Sequence, residues 1–170
     1  VDSCDTVTLP RWQTSTSSNY LGNNPIVDYS GNNNNTALGD SALFPPAGNN
    51  DNTAVGYQSQ QDANGSFNTS VGSSALFGVI HDHNTGIGFD ALDNNNGYSN
   101  TAVGAIAFNT LIGGDSNTAF GFSGGIDSTI NPAFLSEKGT FIGEESGVVT
   151  RSSDTVFYRT ALGAHALVRQ

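Results

Sequence analysis

The sequence has almost no positive charge along most of its length. No Lys or Arg stands between Trp12 and Glu137, a stretch that holds nine Asp. The five cationic residues lie near the two ends, and the formal net charge is -10. Proteins that bind nucleic acid use Lys and Arg to neutralise phosphate groups, so this class of partner is excluded, and binding to anionic membrane surfaces is disfavoured for the same reason.

Other scarce residues limit the class of protein further. Charged residues make up only 12% of the chain, and Met is absent. The single cysteine, Cys4, leaves either a bond to a second chain or a spare thiol, because an intrachain disulfide needs two. No apolar run approaches the ~18 residues of a membrane helix, which predicts no direct insertion into a membrane. No signal peptide opens the chain, so an exported protein would have lost its signal or would belong to a longer chain.

A short motif of Asn, Thr, Ala, an apolar residue and Gly recurs eight times. Its Thr and its final Gly are invariant, and the residue before that Gly is always apolar. The Gly-to-Gly spacings are 17, 16, 16, 16, 17, 22 and 20 residues. The eight copies run from Thr36 to Gly39, Thr53 to Gly56, Thr69 to Gly72, Thr85 to Gly88, Thr101 to Gly104, Thr118 to Gly121, Thr140 to Gly143 and Thr160 to Gly163.

The length of the repeat indicates the fold. About 16 residues are too few for a helical hairpin or a propeller blade, and they fit one solenoid coil of two short strands and two turns. The sequence therefore predicts an all-β, parallel β-solenoid of about eight coils of 16–17 residues. We assign residues 35–121 to regular coils, 1–34 to an N-terminal cap or lead-in, and 122–170 to irregular final coils with insertions and a C-terminal cap.

The motif also predicts two faces. Side chains alternate along a strand, so Thr and the apolar residue share one face, while Ala and Gly share the other. We expect the apolar column to fill a narrow core and the Ala and Gly column to face outward. Because one thin coil is a poor core by itself, we expect several copies to associate with cyclic symmetry. An outward Thr column would instead suit ice binding.

The motif Asn-Thr-Ala-Val-Gly, with Ala-Leu shortly after it, resembles the head repeat of trimeric autotransporter adhesins. Similar arrays occur in phage tail fibres, and the resemblance covers residues 35–167. It implies a left-handed parallel β-roll that packs as a homotrimer outside the cell, on a cell surface or a virion fibre. The repeat here is longer than the usual head repeat of that family.

Two regions are candidates for binding. Tyr57, Phe89 and Phe122 each follow a motif Gly directly. Facing outward, they would form an aromatic row for sugar or protein contact; facing inward, they would fill the core, which is the interpretation we favour. The long interval after Phe122 contains Asn131 and Phe134 in an apolar loop, which is either a binding loop or a cap over the last coils.

Metal binding has only weak candidates, so we expect no cofactor. His81 and His83 would point the same way from an extended segment, and imidazole is a good ligand for transition metals. The alternative is a solvated loop. Gly-Gly segments that lead to Asp115 and Asp127 allow either calcium binding or ordinary turns.

Catalysis has little support in the sequence. Glu144 and Glu145 are adjacent, so on a strand they would face opposite sides and could not act as an acid–base pair. We therefore predict a non-enzymatic extracellular fibre or adhesin head that attaches to a cell-surface protein or glycan. The alternative is a structural subunit of an extracellular filament or phage tail fibre without its own receptor site. A depolymerase on the same scaffold is a third hypothesis.

Overall fold

The chain folds as a parallel β-solenoid of about six turns, with no helix in the part that the structure describes. The structure is a computed structural model, and it describes residues 11–15, 18–22, 34–44, 50–78, 81–94, 97–109, 114–125, 136–147, 156–157 and 160–166. The predicted all-β solenoid is thereby confirmed. The number of eight coils, their handedness and the trimer stay predictions. No helix among these residues is long and apolar enough to cross a membrane.

Within the described residues the structure has twelve short strands. In chain order they are β1 (Arg11–Ser15), β2 (Ser18–Gly22), β3 (Thr36–Leu38), β4 (Thr53–Val55), β5 (Thr69–Val71), β6 (Thr85–Ile87), β7 (Thr101–Val103), β8 (Thr118–Phe120), β9 (Ser136–Glu137), β10 (Thr140–Ile142), β11 (Val156–Phe157) and β12 (Thr160–Leu162). Ten of them form one sheet in the order β1-β2-β3-β4-β5-β6-β7-β8-β10-β12, and β9 pairs with β11 separately.

Identical residues stack on one another along this sheet. From β3 onward the strands pair in parallel, with each motif Thr opposite the Thr of the next strand. The register continues through the two long intervals, so β10 lies on β8 and β12 lies on β10. Insertions between the last three motifs therefore leave the ladder itself intact.

The orientation of the two faces is opposite to our prediction. The middle residue of each motif strand is buried, as in Ala54, Ala102 and Ala119, whereas Thr and the apolar residue point outward. The reason is the Asn before the first six of these Thr residues, which shares the inward face with the middle residue of the strand because side chains alternate. Inward Asn and Ala leave little room, so larger apolar residues take the outer face.

Buried Asn side chains form a continuous ladder through the solenoid. In the first five members, Oδ1 accepts a hydrogen bond from the backbone N–H of the next Asn, for example from Asn84 N–H to Asn68 at 2.7 Å, and in Asn117 it accepts from Gly139 N–H at 2.8 Å. In four of them Nδ2 donates to a backbone carbonyl of the following coil, as Asn84 does to Gly97 at 2.9 Å, whereas Asn117 donates to Asn100 Oδ1 at 3.2 Å. The members are Asn35, Asn52, Asn68, Asn84, Asn100 and Asn117. Satisfied in this way, the amides are buried at little cost.

The second half of each coil is a turn, where we predicted a second strand. Its Ala and Leu are buried against the Ala column, as in Ala75, Leu76 and Leu92. Leu76 and Leu92 have left-handed backbone angles, with φ of 56° at both, which no strand allows. Neighbouring coils still bond there, since Leu76 N–H donates to Ala91 O at 2.9 Å.

The motif Gly is required where each strand ends. Seven of the eight have φ between +126° and +137°, a region that side chains rarely adopt. A Cβ at any of these seven would collide with the carbonyl of the Gly in the next coil. The coils can therefore stack closely only because the column contains Gly alone.

The sheet continues into the segment that we predicted to be a lead-in or cap. β2 pairs with β3 in parallel, with Leu21 opposite Leu38, and Gly22 lies against Gly39 as one more member of the Gly column. β1 then pairs with β2 in antiparallel fashion. The hairpin thus joins the parallel ladder through a degenerate copy of the motif that the sequence reading missed.

Candidate functional site

Three aromatic side chains stand out from the solenoid at the same position of the coil. Tyr57, Phe89 and Phe122 are 56%, 54% and 49% exposed. Our interpretation of these rings as core filler is therefore wrong. Each follows the bend at a motif Gly, and the core positions inside are already filled by Ala and Leu.

Backbone hydrogen bonds fix the spacing of these rings, which we call the aromatic row. Ser74 N–H donates to Tyr57 O, Asp90 N–H to Ser73 O, Ile106 N–H to Phe89 O, and Ser123 N–H to Ala105 O, at 2.8 to 3.1 Å. Tyr57, Ser73, Phe89, Ala105 and Phe122 thus occupy equivalent positions in five consecutive coils. Because stacked coils lie ~4.8 Å apart, successive rings stand roughly 10 Å apart.

A second surface of the solenoid is formed by the outward residues of the motif strands, and we call it the strand face. The Thr side chains are half-buried or exposed. The apolar column beside them is Leu38, Val55, Val71, Ile87, Val103, Phe120, Ile142 and Leu162. Neither column contains a charged residue, although the chain carries a net charge of -10. A long exposed apolar surface of this kind is typical of an interaction site.

The two predicted His candidates do not point together into one site. His81 stacks on Tyr98, with ring centroids 4.2 Å apart, and His83 stacks on Phe67 at 4.9 Å. Each imidazole is thus paired with an aromatic ring of a neighbouring coil. Among the described residues, no group of three His, Cys, Asp or Glu side chains could hold a metal ion.

The predicted calcium segments and binding loop are described only in part. Asp115 accepts a hydrogen bond from Tyr98 N–H at 2.8 Å, so its carboxylate is already bonded to the backbone of the neighbouring coil. Asp127, Asn131 and Phe134 lie outside the described residues. Whether the last two belong to a binding loop or to a cap stays a prediction.

A pair of acidic residues beside the aromatic row was not singled out from the sequence. Burial and the charge of Asp90 raise the pKa of Asp93 to about 6, and Asn94 donates a hydrogen bond to its carboxylate at 2.9 Å. Burial also raises the pKa of Asp90. Both lie in the turn that follows Phe89. The signal in the sequence was the segment Asp-Ala-Leu-Asp. A turn brings its two Asp residues close together, whereas a strand would place them on opposite faces.

The two adjacent Glu residues have different surroundings. Glu145 accepts from His165 Nδ1 at 2.9 Å, which links two neighbouring coils, and Glu144 is exposed. They lie in a turn and not on the strand that we assumed. The contact between Glu145 and His165 is open to solvent, so it contributes little to stability.

No family model, curated protein or solved structure matches the chain. The features of the chain that bear on its function are therefore the aromatic row, the strand face and the motif itself.

Proposed function

We propose that the protein is a non-enzymatic extracellular attachment module, the head of a fibre or adhesin, which binds a cell-surface protein or glycan. The observation that carries this proposal is the aromatic row. Three exposed rings stand at equivalent positions on a hydrogen-bonded ladder, so each ring presents a similar shallow contact. Shallow contacts are weak singly, but repeated ones add up when they engage one extended ligand or surface.

We further propose eight coils and a homotrimer that associates through the strand face. The support is electrostatic: chains with a net charge of -10 repel one another, and the strand face is a long surface where no charge opposes contact. In such a trimer the apolar column, including the exposed Ile87 and Phe120, would be covered and would form the buried core of the interface. The aromatic row follows the Gly bend, so it lies off the strands that would meet.

A screen of glycans and intact cells tests attachment. We expect the labelled chain to bind at least one glycan class or cell surface, and to leave the bound polysaccharide uncleaved. Blank arrays together with end-to-end polymers under the electron microscope would favour the filament subunit. Release of new reducing ends from a capsular polysaccharide would favour a depolymerase.

Ice binding is a second candidate, because the Thr column does point outward. Its members stack in direct register, one coil apart, which places hydroxyl and methyl groups at a regular spacing of ~4.8 Å. This function needs an uncovered strand face and so competes with the trimer. Thermal hysteresis and shaped ice crystals at micromolar protein would support ice binding, and their absence would remove it.

A further inference from the structure

The ligand chemistry of the aromatic row follows from its spacing, if the proposed attachment function holds. We propose that Tyr57, Phe89 and Phe122 bind a neutral, extended β-1,4-linked polysaccharide, of the kind found in cellulose and chitin. In such a chain every second sugar presents the same face to a flat surface. The disaccharide is therefore the true repeat, and its length is close to the roughly 10 Å between successive rings.

The positions between the rings fit this ligand. Ser73 and Ala105 occupy the coils between the aromatic ones, and both are small. The intermediate sugars can therefore cross the surface without a clash. A bulky residue in either place would lift the polymer off the rings on both sides.

Charge favours a neutral polymer over an acidic one. From Tyr57 to Phe122 the row position contains no charged residue, while Asp40 and Glu144 stand at the positions where the row ends. The chain as a whole carries a net charge of -10, which repels uronic acid, sulfated or sialylated chains. Aromatic rings bind the apolar faces of pyranoses without needing charge.

A depletion assay with insoluble polymers tests the proposal. The full chain is mixed with cellulose and with chitin, and with α-linked starch granules as the control polymer. We expect binding to a β-1,4-linked polymer and none to starch. Replacement of one ring, as in Phe89→Ala, should weaken binding roughly tenfold, and replacement of all three should abolish it.

Two further variants distinguish an effect of ring spacing from nonspecific binding by exposed aromatic side chains. Phe67→Ala removes an exposed ring that lies outside the row, and it should leave binding unchanged. The double variant Ser73→Phe with Phe89→Ser keeps three rings but moves the middle one by a single coil. We expect it to bind no better than the variant that lacks the middle ring, because the new ring also lifts the polymer off Tyr57, with thermal unfolding showing that the variant is folded.

Three outcomes would overturn the proposal. The chain could bind neither polymer, it could bind starch equally well, or the shifted-ring variant could bind as tightly as the natural chain. Attachment to cells or to other glycans that survives loss of all three rings would overturn this site and leave the proposed function standing. Failure to attach to any surface would overturn both.

Discussion

At the scale of single residues, the buried Asn ladder decides which way each coil faces. We expect Asn84→Leu to lower the free energy of unfolding by about 2 to 4 kcal/mol, because Asn100 N–H and the Gly97 carbonyl lose their partner. Chemical denaturation measures the change. Thr85→Val, in the next position but facing outward, should shift it by less than about 0.5 kcal/mol. Equal effects of the two variants would contradict an inward Asn.

Gln60 is buried although the fold leaves the hydrogen-bonding groups of its side-chain amide without partners among the described residues. It occupies the buried position that Leu43, Leu76 and Leu92 fill in other coils, and neither its Nε2 nor its Oε1 has a hydrogen-bond partner among the described residues. We expect Gln60→Leu to raise the free energy of unfolding by about 1 to 3 kcal/mol. The backbone already has the left-handed angle that Leu adopts in those coils.

The control for this variant is Gln58→Leu, which changes the same residue type at a half-buried site in the same turn. It should leave stability within about 0.5 kcal/mol of the natural chain. A loss of stability in Gln60→Leu would show that Gln60 has partners, such as trapped water, that the apolar side chain cannot replace.

Asp93 makes stability depend on pH in an unusual direction. Its pKa is raised from the ordinary 3.8 to about 6, so between these values the folded state binds more protons than the unfolded state. The contribution of Asp93 to the free energy of unfolding therefore decreases as pH rises through this window, and it is constant above the window. Asp93→Asn should flatten this part of the stability profile.

Denaturation series at several pH values between 3.8 and 7 measure that slope. Glu144→Gln, which removes an exposed carboxylate, should keep it. An unchanged slope in Asp93→Asn would contradict the assignment of the effect to this carboxyl group.

The sequence predicted which residues stack but not which of them point inward. A period of two places Thr with the apolar residue and Ala with the Asn before the Thr, but it does not say which pair is inside. Treating Asn as a turn residue hid the decisive fact that Asn35 and its equivalents are buried. For the same reason, Tyr57 and Phe89 were expected in a core that Ala and Leu already fill.

At the scale of the coil, the Gly column allows neighbouring strands to approach closely. We expect Gly88→Ala to cost about 4 kcal/mol or more, because its φ is +135° and its new Cβ would meet the carbonyl of Gly104. Gly163 offers the matched control, since a Cβ there meets nothing within 4 Å, although its φ is +115°. Gly163→Ala should cost only about 1 to 2 kcal/mol. Thermal unfolding measures the loss of stability in both variants. Equal losses would mean that Gly is required because of backbone strain at positive φ and not because of the stacking of coils.

The strands were predictable, and the turns between them were not. The conserved spacing of Thr and Gly located every motif strand, even across the two long intervals. The Ser-Ala-Leu-Phe segments have the composition of strands, yet Ser74 and Leu76 adopt left-handed backbone angles. Such angles are unfavourable for these residues, so only the stacking of whole coils selects them.

At the scale of the whole molecule, the chain presents one uncharged strand face and one aromatic row on a single stacked scaffold. The candidate rings could be named from the sequence because they follow the motif Gly. Their exposure and their two-coil spacing required the structure. The hairpin of β1 and β2 was hidden because only Gly22 and Leu21 of its segment match the motif.

In the proposed trimer, the uncharged strand face joins copies of this chain. Light scattering at micromolar protein measures it most directly, as the mass of the assembly in solution. We predict three times the chain mass of 17.6 kDa. Ile87→Asp, which places a charge in the apolar column, should give the single-chain mass, whereas Ser99→Asp, at an exposed turn position, should keep the trimer. A natural chain that scatters as a monomer of 17.6 kDa would contradict the account.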